Sequence, residues 1–61
     1  MKPSELIRKV MADGWTLYRH GKKHDVYIHP TKPGQLVIPR HNKELATGTQ
    51  KSLLDIARLD Q

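Results

Sequence analysis

The chain has 61 residues and no cysteine, with eleven Lys and Arg against six Asp and Glu, a net charge of +5. This length suits one small domain, residues 1–61, and excludes a disulfide framework or a thiolate metal site. The lack of cysteine favours a reducing compartment, so a cytoplasmic protein is expected, and since no apolar run approaches the roughly 18 residues of a membrane span, no membrane partner is expected.

The opening "MKPSELIRKV" is amphipathic and charged, unlike a signal peptide. A sequence pI near 9.9 on so small a surface favours a polyanion as partner. An acidic protein satisfies that composition equally well.

In "SELIRKVMAD", Leu6, Ile7, Val10 and Met11 form one apolar stripe at helical spacing. The pattern predicts a helix over residues 4–13, capped by Ser4 and ended by Gly14. The period then changes to two. "WTLYRH" sets Trp15, Leu17 and Arg19 on one side and Thr16, Tyr18 and His20 on the other, the alternation of a strand. After the short polar connection "GKKH", the run "DVYIHP" alternates again, with Val26 and Ile28 opposite Tyr27 and His29, and stops at Pro30. The Pro33-Gly34 pair reverses the chain before the third strand, "LVIP".

Beyond Pro39 the chain is polar and irregular until Thr47 or Thr49 caps a closing helix, whose buried side is expected to be Leu53, Leu54, Ile56, Ala57 and Leu59. The order is αβββα, an α+β fold with a three-stranded antiparallel meander. Such a sheet cannot hide its apolar face alone, so both helices are expected on one face, with the other open to solvent.

Among the polar residues, His24 raises the sharpest question. It shares strand parity with Val26 and Ile28, which permits a partly buried structural histidine. It also stands where a lysine-rich turn meets the strand, where a register break can aim the ring elsewhere. The residues alone leave both readings open. His24 and His29 are five apart, an odd offset that sends them to opposite faces, and His20 and His41 lack cysteines or a helical partner at four-residue spacing. No metal and no cofactor are expected.

Read together, "DGW" after the first helix, the Gly-x-x-His turn "GKKH", "HDVYIHP", "KPG", "VIPRH" and "ELATGTQKSLLDIARL" resemble, in this order and spacing, the HicA family of toxins from bacterial toxin-antitoxin pairs. The resemblance covers nearly the whole chain. It implies a fold like that of double-stranded RNA-binding domains, cleavage of mRNA that arrests translation, and neutralisation by a HicB-like antitoxin. It also implies that His24 matches the family's essential histidine. The family often has Gly-Ser-His at this turn, whereas Lys22 and Lys23 follow Gly21 here, without the small hydroxyl.

A lone histidine suffices for RNA cleavage in principle, because the ribose 2′-hydroxyl supplies the nucleophile and needs only to lose its proton. On this reading His24 is the general base, and Lys22 or Lys23 neutralises charge as it accumulates on the phosphate. The leaving-group acid is unassigned. Lys22, Lys23, Lys32, Arg40 and Lys43, in the loops at the ends of the sheet, are the expected RNA-binding residues, while Arg8, Lys9 and Lys51 read as solvated helix faces. Trp15 reads as core rather than as a base-stacking platform. The competing functions are a non-catalytic RNA-binding module of the same fold and a purely partner-binding protein.

Overall fold

The computed structural model describes residues 1–41 and 43–59. The elements are α1 (Pro3–Ala12), β1 (Thr16–His20), β2 (His24–Ile28), β3 (Leu36–Pro39) and α2 (Thr47–Ala57), in the αβββα order the periodicities predict. The sheet runs β1-β2-β3, with both neighbouring pairs antiparallel.

Helix α1 begins one residue earlier than expected. Lys2 occupies the capping position without a side-chain cap, and Pro3 starts the helix, where its fixed φ is already helical and its missing N–H goes unneeded. Ser4 is therefore inside the first turn and not the cap. At the other end the Trp15 N–H donates to Val10 O at 3.0 Å and the Gly14 N–H to Met11 O at 3.1 Å, with Gly14 at φ +110. These two bonds make a Schellman closure, and the accompanying contact between Trp15 and Val10 carries both side chains into the core.

Leu6, Val10 and Trp15 meet Leu53, Leu54 and Ala57 of α2 and the inner residues Tyr27, Leu36 and Ile38 of the sheet in one buried cluster. Both helices thus cover the same face. The five largest wholly enclosed side chains are Trp15, Leu6, Leu36, Ile38 and Val10. Burial of that kind contributes roughly 1.5–3 kcal/mol per large apolar side chain, which makes this layer the main support of so short a chain.

The inner parity of β2 is the reverse of the one its apolar residues suggest. Tyr27 pairs with Leu36 and Asp25 with Ile38, so the helix-covered face holds Tyr27 and Asp25, while His24, Val26 and Ile28 share the other face. Strand β3 decides the matter, because Leu36 and Ile38 are its buried residues and Val37 its exposed one. Val26 is nonetheless buried, between Arg19 on one neighbour and Val37 on the other.

Strand β1 also departs from strict alternation. Its register shifts between Leu17 and Arg19, so Tyr18 is an extra residue, Leu17 faces with Tyr27 and Arg19 with Val26. In α2 the capping position falls to Ala46, with no side-chain cap, and Thr47 is already helical. Ile56 is 41% exposed and stands outside the core, whereas Leu59 packs against it as expected.

Candidate nucleic-acid interface

The reversed parity settles the environment of His24. Its position opens β2 on the uncovered face, opposite Pro39, and its side chain is exposed rather than packed under the helices. The turn that delivers it is tight: Gly21 N–H donates to His24 O at 2.8 Å, and a Cβ on Gly21 would stand 2.6 Å from that same carbonyl. Only glycine permits so close an approach. Lys22 and Lys23 form the exposed tip between them.

Asp25, next in sequence, points to the other face. It is only 7% exposed, and its Oδ1 stands 2.7 Å from His20 Nδ1 and accepts from Arg40 Nη1 at 3.2 Å. Arg40 Nη1 also reaches His20 Nε2 at 2.5 Å, and its Nη2 donates to the carbonyl of Lys22. With its proton on Nδ1, His20 donates to Asp25 and accepts from Arg40. The backbone repeats the tie, since Arg40 N–H donates to Lys23 O at 3.0 Å. Burial pushes the Tyr27 phenol above its ordinary range, and the Asp25 charge adds to that shift.

Two grooves flank His24. One, of about 510 Å³, runs past Lys23, His24, Val37, Pro39, His41 and Lys43 to Glu44, Leu45, Ala46 and Thr49 at the start of α2. The other, of about 430 Å³, lies over the open face between Arg19, Lys22, Lys23, His24, Val26, Gln35 and Val37. A smaller recess of about 260 Å³ is lined by four basic residues, Lys22, Lys23, Arg40 and His41. Among the described residues, Glu44 is the one carboxylate in the linings of these three depressions. Among the described residues, Lys22, Lys23 and Lys43 have no carboxylate partner.

Four of the five expected RNA-binding cations therefore gather around His24: Lys22, Lys23, Lys43 and Arg40, the last already engaged by Asp25. Lys32 does not join them. It lies beyond the other end of β2, where its Nζ meets Asp13 Oδ2 at 2.5 Å and donates to Ala57 O, at the C-terminus of α2, at 3.0 Å. The Lys32 ammonium holds the Asp13 carboxyl below the usual carboxylate range.

His29 belongs to the same far end. Its Nδ1 accepts the Thr31 and Lys32 backbone N–H groups at 3.1 Å each, which leaves Nε2 to donate to Asp13 O at 2.8 Å. The ring also packs edge-on against Trp15, with centroids 5.4 Å apart. His29 is structural.

His41 is the neighbour that sequence reasoning missed. A signal for it exists in hindsight, because it follows the strand whose last residue pairs with His24, and antiparallel register carries it back alongside the hairpin tip. Among the described residues no three His, Asp or Glu side chains converge as a metal site would require, and no helix is long and apolar enough to cross a membrane.

These features define a small basic α+β domain that sets an exposed imidazole, free of hydrogen-bonding neighbours among the described residues, in a ring of cations. Residues 3–59 match the family model of the HicA toxin of bacterial toxin-antitoxin systems. The chain belongs to the HicA toxin family, as its motif order implied, and so takes the toxin role with a cognate antitoxin as partner. No curated protein matches it.

Proposed function

We propose that this toxin is an endoribonuclease of the cytoplasm that cuts mRNA without a metal ion, with His24 as general base, and that a HicB-like antitoxin neutralises it. The whole of residues 1–61 acts as one toxin domain with a fold like that of double-stranded RNA-binding domains. The neutral His24 imidazole removes the proton of a ribose 2′-hydroxyl, and O2′ attacks the adjacent phosphorus. The bond from phosphorus to O5′ breaks as that oxygen takes up a proton, leaving a 2′,3′-cyclic phosphate and a 5′-hydroxyl. Lys22 and Lys23 neutralise the charge that builds on the phosphoryl oxygens, and with Lys43 and Arg40 they bind the flanking phosphates. Positioned base catalysis of this kind contributes typically about 10² to 10⁴-fold.

One observation carries the reading. Of four histidines, three have rings already occupied, His20 by Asp25 and Arg40, His29 by three backbone groups and His41 by the Lys43 amide. His24 alone offers an exposed ring with no hydrogen-bonding neighbour among the described residues, and it does so between grooves large enough for a nucleotide. A HicB-like antitoxin that covers the hairpin tip would bury His24 and the cations together.

Purified protein incubated with RNA in EDTA tests the proposal. The expected result is shortened RNA with 2′,3′-cyclic or 3′-phosphate ends, and no cleavage by His24→Ala at an unchanged circular dichroism spectrum. RNA that is bound yet left intact by the wild type would instead mark a non-catalytic binding module, and RNA neither bound nor cut would mark a protein that engages only its antitoxin.

A further inference from the structure

We infer that His41 is a second catalytic residue of the His24 groove, acting as a neutral hydrogen-bond donor, through Nε2–H, to a non-bridging oxygen of the scissile phosphate. The inference rests on the nuclease reading above and supplies a directional partner that the lysines cannot.

The placement comes first. His24 and His41 line the same groove, together with Lys23 and Lys43, and His41 also lines the small basic recess beside it with Lys22, Lys23 and Arg40. His41 thus lines both depressions, and like His24 it is exposed in the groove they share. The segment that carries it is anchored at its root by the Arg40 bonds to the carbonyls of Lys22 and Lys23, the loop that also delivers His24. The two rings are therefore carried by neighbouring segments that are bonded to each other.

The tautomer comes second. His41 Nδ1 accepts the Lys43 backbone N–H at 3.2 Å, so in the neutral ring the hydrogen is on Nε2, the nitrogen turned away from that contact. A ring held in this way is a donor and not a base. This distinguishes it from His24, whose nitrogens have no such partner among the described residues, and it divides the work between the two imidazoles: His24 accepts the 2′-hydroxyl proton while His41 stabilises the phosphoryl oxygen that gains charge. No proton leaves His41 in the step. Lys22 and Lys23 are flexible point charges, whereas a ring pinned at Nδ1 aims one N–H along a defined line, the arrangement that favours a transition state over a ground state.

Single-turnover cleavage of an RNA with one mapped cut site, with binding measured separately on the analogue that carries a 2′-deoxyribose there, tests the inference. His41→Ala should cut about 10² to 10³-fold more slowly, the usual consequence of losing one preorganised donor, while its affinity for the uncleavable analogue falls by less than about tenfold. His41→Gln, which restores an N–H of similar reach, should recover much of the rate. A phosphorothioate at the scissile linkage should slow the wild type in one diastereomer and leave His41→Ala with little further loss. The inference is overturned if His41→Ala cuts as fast as the wild type, if rate and binding fall together, or if His41→Gln is no better than alanine although its circular dichroism and melting match the wild type. A wild type that cuts nothing fails the nuclease reading itself, in an arm that does not involve His41.

Discussion

Arg40 lends itself to a quantitative test because its guanidinium joins a nearly enclosed carboxylate to the loop that bears His24. The perturbation is Arg40→Met, which keeps the apolar stem and the backbone bond to Lys23 and removes the charge and every side-chain donor. The Asp25 side chain is 10% exposed and that of Arg40 29%, so the pair lies between a fully buried ion pair, whose disruption costs about 3–5 kcal/mol, and a surface pair worth less than about 1 kcal/mol. His20 still faces Asp25 at 2.7 Å in the variant, which holds the expected loss to about 2 kcal/mol. For a chain of 61 residues, whose whole stability is roughly 3–9 kcal/mol, that is a large fraction. Urea denaturation followed by circular dichroism reads it directly. Asp25→Asn and the double variant complete the cycle, with an expected coupling of about 1–2 kcal/mol. If Arg40→Met unfolds within about 0.5 kcal/mol of the wild type, the clamp is not supporting the hairpin, and Arg40 is free to serve RNA alone.

Gly21→Ala forces a Cβ against the His24 carbonyl and should cost about 1–3 kcal/mol in a urea titration, with a cleavage rate down by as much as about 10²-fold as the ring is displaced; an alanine variant as active as the wild type would refute the steric reading. The log-log salt slope of RNA binding should be roughly −3 for four phosphate contacts and should lose about 0.7 in Lys23→Ala while staying put in Lys32→Ala. A slope that changes with Lys32 would move the interface to the other end of β2. Asp13 has a depressed folded-state pKa through its bond to Lys32, so its stabilising contribution is present above its unfolded value of 3.8 and is lost as pH falls through the lower folded value. Acid titration of Lys32→Met should accordingly show a shallower loss of stability below about pH 4 than the wild type, and identical acid limbs would contradict the assignment.

The element order, the shared face of the two helices and the hairpin position of His24 were legible because each depends on local period and on turn chemistry. The direction in which β2 faces was not. A two-residue period sorts Val26 and Ile28 from Tyr27 without saying which set is inward, and only the pairing with Leu36 and Ile38 supplies that information. The same limit hid the site, since His24 is exposed for the reason that its parity-mates are on the uncovered face. Tyr18 could not be read as a bulge because its aromatic ring suits either an alternating strand or a kinked one. The helix starts were misjudged where Pro3 and Ala46 outweigh nearby hydroxyl residues. Lys32 read as one more RNA-binding cation, because nothing in the order of residues announces that Asp13 and the last carbonyl of α2 converge on it.

The knot of Asp13, His29, Lys32 and the Ala57 carbonyl ties α1, the β2–β3 connection and α2 together at one end of β2, while the hairpin tip occupies the other. Shape is guarded at one pole and chemistry is displayed at the opposite one. On the role proposed for His24, a decoy altered at that ring alone would keep the knot and the surrounding cations, and so most of the exterior open to an antitoxin, while losing its harm to the cell that makes it.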